Sequence, residues 1–184
     1  MLRLLQEHPG IEVCWVVLSG ESARADEARR SAESWLADAG NKQFISGDFR
    51  DRYFPAYWEQ VKDFVHRIAG QFEPDLIFTQ RRDDAHQDHR VLGELTWNAF
   101  RNHLIWEYEI PKYEGDLGQP NIFVALDETI CRRKIEILHD SFSTQQDKPW
   151  FTSDAFWATL RLRGLECNSP TRFAEGFYAR KTLI

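Results

Sequence analysis

The apolar positions of this 184-residue chain change their period repeatedly, and the changes mark out its elements. Leu2, Leu4 and Leu5 cluster in a helix end, Met1 to His8, which Pro9 and Gly10 stop. Ile11 to Ser19 (IEVCWVVLS) is β-branched and nearly all apolar in its second half, the pattern of a parallel strand covered on both faces. From Ser22 to Ala39 the period becomes helical: Ala23, Ala28, Ala32, Trp35 and Leu36 make one stripe, and Gly40 ends it. A short strand follows at Gln43 to Ser46. Asp51 to Ala69 predicts a second amphipathic helix, with Tyr57, Val61, Phe64 and Val65 inward and Gly70 as its stop.

Leu76 to Thr79 (LIFT) is the next strand, then a polar turn from Gln80 to Ala85 and a helix from about His86 to Asn102. Leu104 to Ile110 reads as a strand, and Pro111 to Pro120 as a loop rich in Gly, Pro and charge. Further expectations are a strand at Ile122 to Leu126, helices at Glu128 to His139 and Asp154 to Arg163, and a last short strand at Gly176 to Ala179. Strands joined by helical crossovers of this length define the α/β class. We expect a three-layer, Rossmann-like open sheet, mostly parallel, in one domain spanning residues 1–184.

Composition narrows the function classes. Hydrophobic residues make up 42% and charged residues 28%, as in ordinary globular chains. Lys plus Arg total 23 against 29 Asp plus Glu, a formal charge of -6, which disfavours a phosphate-tracking surface and so nucleic acid and anionic membranes as partners. No apolar run approaches the roughly 18 residues of a spanning helix, and no basic segment leads into an apolar one as in a secretory signal. Cys14, Cys131 and Cys167 are odd in number and widely spaced, which suits reduced thiols and a cytoplasmic location.

In open α/β sheets ligands collect beyond the carboxyl ends of the strands, here after Ser19, Ser46, Thr79 and Ile110. The turn after Thr79 stands out: Gln80-Arg81-Arg82-Asp83-Asp84-Ala85-His86-Gln87-Asp88-His89-Arg90 sets two imidazoles among three carboxylates. Asp84 is positioned to cap the helix, with Gln87 three residues on. His86 and His89 then lie one helical turn apart. The positive end of a helix disfavours imidazolium and leaves a neutral ring able to ligate a metal; zinc suits such donors. Asp88 is a candidate to hold an imidazole N–H. Taken alone, the pair also fits a solvated, charged helix start. His8, His66, His103 and His139 have no acidic-histidine cluster beside them.

The stretch Asp84 to Arg90, D-x-H-Q-D-H-R after an apolar strand, resembles the H-x-D-H signature of the PIG-L or LmbE-like deacetylases. Trp15 to Leu18 with Ser19-Gly20-Glu21, Arg24 to Glu27, Glu107-Tyr108-Glu109-Ile110-Pro111, Lys134 to Ser143 and Ala174-Glu175-Gly176-Phe177 are similar to further family segments, so the likeness covers nearly the whole chain. It implies a zinc hydrolase that removes N-acetyl groups from glucosamine-type sugars. On it, His89 matches a zinc ligand, His86 the histidine that stabilises the oxyanion or donates a proton, and Arg24 an arginine near the substrate. Asp48, just after the second strand, is placed to meet sugar hydroxyls. The substrate class is a small-molecule, lipid-linked or nucleotide-linked amino sugar, and the oligomeric state stays open.

One family feature has no counterpart. Members open with a strand and A-H-P-D-D, which supplies two zinc ligands and the general base; here the only H-P, His8-Pro9, is followed by Gly10. The expectation is therefore a sheet without its first central strand. Two explanations compete, an N-terminally shortened deacetylase and a divergent, non-catalytic carbohydrate-binding or interaction relative, and the intact remainder of the signature favours the first. A metal phosphohydrolase would need a further aspartate cluster.

Overall fold

The computed structural model of the chain describes residues 1–20 and 23–182, apart from the side chains of residues 23 and 24. In chain order the elements are α1 (Leu2–Glu7), β1 (Glu12–Val17), α2 (Ala23–Trp35), β2 (Asn41–Ser46), a 3-10 turn (Phe54–Tyr57), α3 (Trp58–Ala69), β3 (Leu76–Gln80), α4 (Gln87–Ala99), β4 (Leu104–Tyr108), β5 (Ile122–Leu126), α5 (Glu128–Ser141), a 3-10 turn (Ser143–Gln145), α6 (Ser153–Glu166) and β6 (Phe173–Tyr178). Among the described residues the strands form a two-stranded sheet, β1-β2, and a four-stranded sheet in the order β3-β4-β6-β5. The expected class holds: an α/β chain with mostly parallel pairing in open sheets. The chain gathers into two compact units, Met1–Asp48 with Ala125–Glu175, and Phe49–Val124 with Gly176–Ile184.

In the first unit β1 and β2 pair in parallel, from Glu12 against Asn41 to Val17 against Ser46, and α2 is the crossover that parallel pairing requires. Its core includes Leu5, Leu18, Leu36, Ile130, Ile135, Ile137 and Leu160. Cys131 is fully buried, and burial pushes its thiol up to about 11, so it is an inert packing group. Glu27, a buried carboxylate on α2, accepts from Ser143 Oγ (2.7 Å), Thr144 N (3.0 Å) and Thr144 Oγ1 (2.7 Å), which satisfies it and fixes the turn after α5.

The second unit carries the histidine motif. β3 and β4 pair in parallel from Leu76 against Leu104 to Gln80 against Tyr108, while β6 meets β4 antiparallel, Glu107 opposite Tyr178. α4 packs on β3 and α3, burying Val91, Leu95, Val61, Phe64 and Val65. Thr79 on β3 donates to Thr96 on α4 (3.1 Å), and Thr96 to the Leu92 carbonyl (2.7 Å), so even the polar contacts between strand and helix are closed. Contact is tightest at Gly93. A Cβ there would lie 2.6 Å from the Gln80 carbonyl oxygen and 3.2 Å from Arg82 N, so only glycine lets α4 press against the start of the motif turn.

Several boundaries differ from the sequence expectation by a few residues, and two of the differences have a visible cause. The helix expected from Asp51 begins at Trp58, because Arg52 takes a left-handed backbone (φ 69°) and the amides of Arg52 and Phe54 are bound by a side chain of α4 rather than by a helical turn. The last strand starts at Phe173 instead of Gly176, with Glu175 inside it paired to Lys134. A charge in a strand hides the strand's period until its partner is seen.

The packing at Gly93 makes a prediction. Gly93→Ala should destabilise the protein by about 1–3 kcal/mol, the usual cost of overpacking, read as a lower urea midpoint. An unchanged midpoint would show that helix and turn can separate freely.

Candidate active site

β3 ends at Gln80 and delivers the chain into a turn held on several sides. Arg82 donates to Glu107 on β4 through its backbone N (3.3 Å) and its Nε (2.6 Å), and its guanidinium lies 4.5 Å from the Trp97 ring centre. Trp97 Nε1 completes the set on Glu107 (2.5 Å), so this buried carboxylate is fully matched by donors. Arg81 lies over the Tyr178 ring at 4.2 Å and donates to the Asp116 carbonyl oxygen at 2.6 Å. The turn is thus fastened to both β4 and β6.

Asp84, at 3% exposure, is the hub of the turn. Its Oδ1 accepts from His86 N (2.7 Å), and its Oδ2 accepts from His89 Nδ1 (3.0 Å) and from Lys112 Nζ (3.0 Å). Lys112, 8% exposed along its side chain, also donates to both Asp116 oxygens (2.9 and 2.8 Å), and Asp116 Oδ2 accepts from Ala85 N (2.7 Å). Burial by itself would raise the Asp84 carboxyl, but the bonds from His89, the His86 amide and Lys112 outweigh it and hold the group well below the usual carboxylate range. Asp116 is lowered by the same balance, with Lys112 and the Ala85 amide opposing its burial. Breaking a buried ion pair of this kind from one side typically costs about 3–5 kcal/mol.

These contacts fix the two imidazoles. An ionised carboxylate only accepts, so His89 Nδ1 carries a proton, and in the neutral ring Nε2 is left with the lone pair. His86 caps α4: its Nδ1 accepts from Asp88 N at 3.3 Å, which puts the proton of the neutral ring on Nε2. The rings lie side by side, centroids 4.6 Å apart and inclined at 39°. One ring therefore offers a lone pair and its neighbour an N–H.

The sequence-predicted residues divide. His86 and His89 come together as expected. Asp88, expected to hold an imidazole, is buried and accepts instead from Arg52 N (2.5 Å) and Phe54 N (3.1 Å), capping the segment before α3; the carboxylate on His89 is that of Asp84. Asp84 in turn is not the N-cap, a position His86 takes, although it does bind the His86 amide. Asp48 lies beyond β2 in the first unit, and the Arg24 side chain lies outside the described residues. The sequence points to the turn after Ile110 as a place for ligands but does not pick out Lys112 and Asp116; charges alternating with glycines in that loop are the available signal. Among the described residues no three His, Cys, Asp or Glu side chains converge in a metal-binding group.

The α/β fold thus places a histidine pair at the carboxyl end of a parallel strand, with one ring held by a carboxylate. The chain belongs to the PIG-L family: the family described as GlcNAc-PI de-N-acetylase matches residues 6–100. No curated protein sequence matches it. Solved structures share the fold. The N,N'-diacetylchitobiose deacetylase of Pyrococcus horikoshii, bound to an inhibitor, is 18% identical with a TM-score of 0.68, over 96% of this chain and 75% of that one. A deacetylase of the teicoplanin biosynthetic pathway is 16% identical (TM-score 0.67, 97% and 88% covered), and its zinc-inhibited form 12% identical (0.63, 97% and 90%). The 4-carboxy-2-hydroxymuconate hydratase GalB of Pseudomonas putida is 18% identical (0.62, 100% and 88%). The fold thus carries deacetylases and at least one other chemistry.

Asp84 gives the unit a pH signature. A carboxylate whose folded pKa is depressed adds stability that is complete above its unfolded value, about 3.9, and is lost as pH falls through the folded value. Urea stability should therefore decline on acidification below about pH 5, and Asp84→Asn should flatten that decline. Equal slopes in the two proteins would remove Asp84 from the account.

Proposed function

We propose that this protein has the frame of a zinc-dependent hydrolase that deacetylates an N-acetylglucosamine-type sugar, free or lipid- or nucleotide-linked, in the cytoplasm, and that its 184 residues form one domain in which the described residues do not assemble a full set of metal ligands. The observation that carries the reading is the Asp84–His89 contact beside the His86 ring. A carboxylate on Nδ1 with the lone pair turned out on Nε2 is the arrangement of a metal-ligating histidine, so this part of the site fits zinc. Zinc, when bound, supplies a Lewis acid that polarises the acetyl carbonyl and makes water a nucleophile.

The rest of the chemistry falls to the chain. His89 would hold the metal through Nε2, with Asp84 keeping its tautomer. His86 presents its Nε2 proton to the amide oxygen as negative charge develops there, and later to the departing amine. Asp88 acts one step removed: by binding Arg52 N and Phe54 N it fixes the segment packed against α4, and its own amide fixes the His86 ring. Arg24 and Asp48 are assigned to the sugar, the first for charge, the second for hydroxyl groups.

A catalytic zinc takes three protein ligands and an open position, and a base must serve the water. No such set converges among the described residues, so this chain by itself is expected to bind zinc weakly and to release no acetate. The absence of a three-ligand group among the described residues favours, as a second reading, a non-catalytic carbohydrate-binding or interaction relative.

Zinc titration of the purified protein, followed calorimetrically, separates the two. We expect weak uptake that His89→Ala abolishes, and, once an A-H-P-D-D segment is joined to Met1, one tightly held zinc with release of acetate from N-acetylated sugar. Uptake indifferent to His89→Ala, with no acetate from the extended protein, supports the second reading.

A further inference from the structure

The loop after β4 is anchored in an unusual way. Its hold on the motif turn is a buried lysine between two aspartates: Lys112 Nζ bonds Asp84 Oδ2, the oxygen that also receives His89 Nδ1, and both oxygens of Asp116. Asp116 adds a bond to Ala85 N, and its carbonyl takes one from Arg81. Further along, Gly118 N donates to the Tyr178 hydroxyl at 3.1 Å, and a Cβ on Gly118 would lie 2.8 Å from that oxygen and 2.9 Å from an Arg81 nitrogen. Buried charges contribute little net stability against apolar packing of the same size; what they fix is position.

What they position is the segment between the two anchors. Lys112 and Asp116 close a tight turn, and Tyr113, 69% exposed, stands at its tip with the exposed Glu114 and with Gly115 in a left-handed conformation (φ 62°). Tyr113 is thus a large, mostly exposed amphipathic ring next to a lysine that shares one carboxylate oxygen with the candidate metal ligand. Exposed aromatic rings on a fastened tip are costly to solvate and lose little entropy when they bind.

We propose that the Pro111–Leu117 loop is the substrate-recognition loop of this site, with Tyr113 stacking on a pyranose ring and Glu114 accepting from its hydroxyl groups. The Lys112 anchor makes the platform move with the histidine pair, so recognition and chemistry stay in register. The loop's own charge, one lysine against two acids, favours an uncharged sugar over a phosphorylated one at this position. The proposal rests on the amino-sugar reading of the same site.

The probe is N,N'-diacetylchitobiose, bound to the full chain and followed by saturation-transfer NMR. Tyr113→Ala should weaken binding about tenfold, the weight of one aromatic contact, and Tyr113→Trp should restore it. Tyr113→Trp should restore the thermal midpoint along with binding, and the loss in Tyr113→Ala should stay within the small range of a mostly exposed position. Wild-type binding that Tyr113→Ala leaves intact overturns the loop's role and spares the deacetylase reading. A wild-type chain that binds no disaccharide counts against both.

Discussion

One carboxylate organises the second compact unit. Asp84 is almost without solvent, and its two oxygens accept from a backbone amide, an imidazole and an ammonium group. An anion taken out of water has to be surrounded by donors, and each donor here belongs to a different piece of the structure. The His86 amide fixes the turn, the His89 ring belongs to α4, and Lys112 brings in the loop after β4. Meeting the electrostatic need of Asp84 therefore assembles the site. In the neutral rings the same bonds select the tautomers, a lone pair on His89 Nε2 and an N–H on His86 Nε2.

The surrounding contacts keep that arrangement from relaxing. Glu107 and Trp97 hold Arg82 at the start of the turn, Gly93 lets the helix approach that same start, and Asp88 ties α4 to the segment ahead of α3. At Arg82 and at Asp88 the fastening is made by hydrogen bonds to a buried carboxylate, added to the apolar packing of α4. Apolar surfaces hold elements together with little regard for direction, whereas a bond to a carboxylate specifies distance and angle. A site whose rings must face one point needs the second kind.

Much of the frame is legible in the chain. The order of strands and helices, the α/β class and the placing of the histidines after LIFT emerge from periodicity and from the stops at glycine and proline. Which acid serves which group is not legible there. Asp84 and Asp88 stand four residues apart in the same polar run, and spacing alone gives each a claim to cap the helix or to meet a ring. The choice is made by elements distant in sequence, Lys112 for the first and the Arg52 and Phe54 amides for the second. Lys112 itself lies in a loop whose glycines, prolines and charges carry no period. The start of α3 escapes the pattern for the same reason, since the amides that leave the helix are taken up by a side chain far along the chain.

The central claim is that Asp84 sets the proton of His89 on Nδ1 and leaves Nε2 open. Nitrogen-15 NMR of the histidine side chains at neutral pH reads this directly, through long-range couplings that tell a protonated ring nitrogen from a bare one. The expected result is the Nδ1–H form for His89, lost in Asp84→Ala, and the Nε2–H form for His86. A His89 ring protonated on Nε2 would mean that the ring does not present a ligand, and the proposed metal chemistry would have no foothold in this chain.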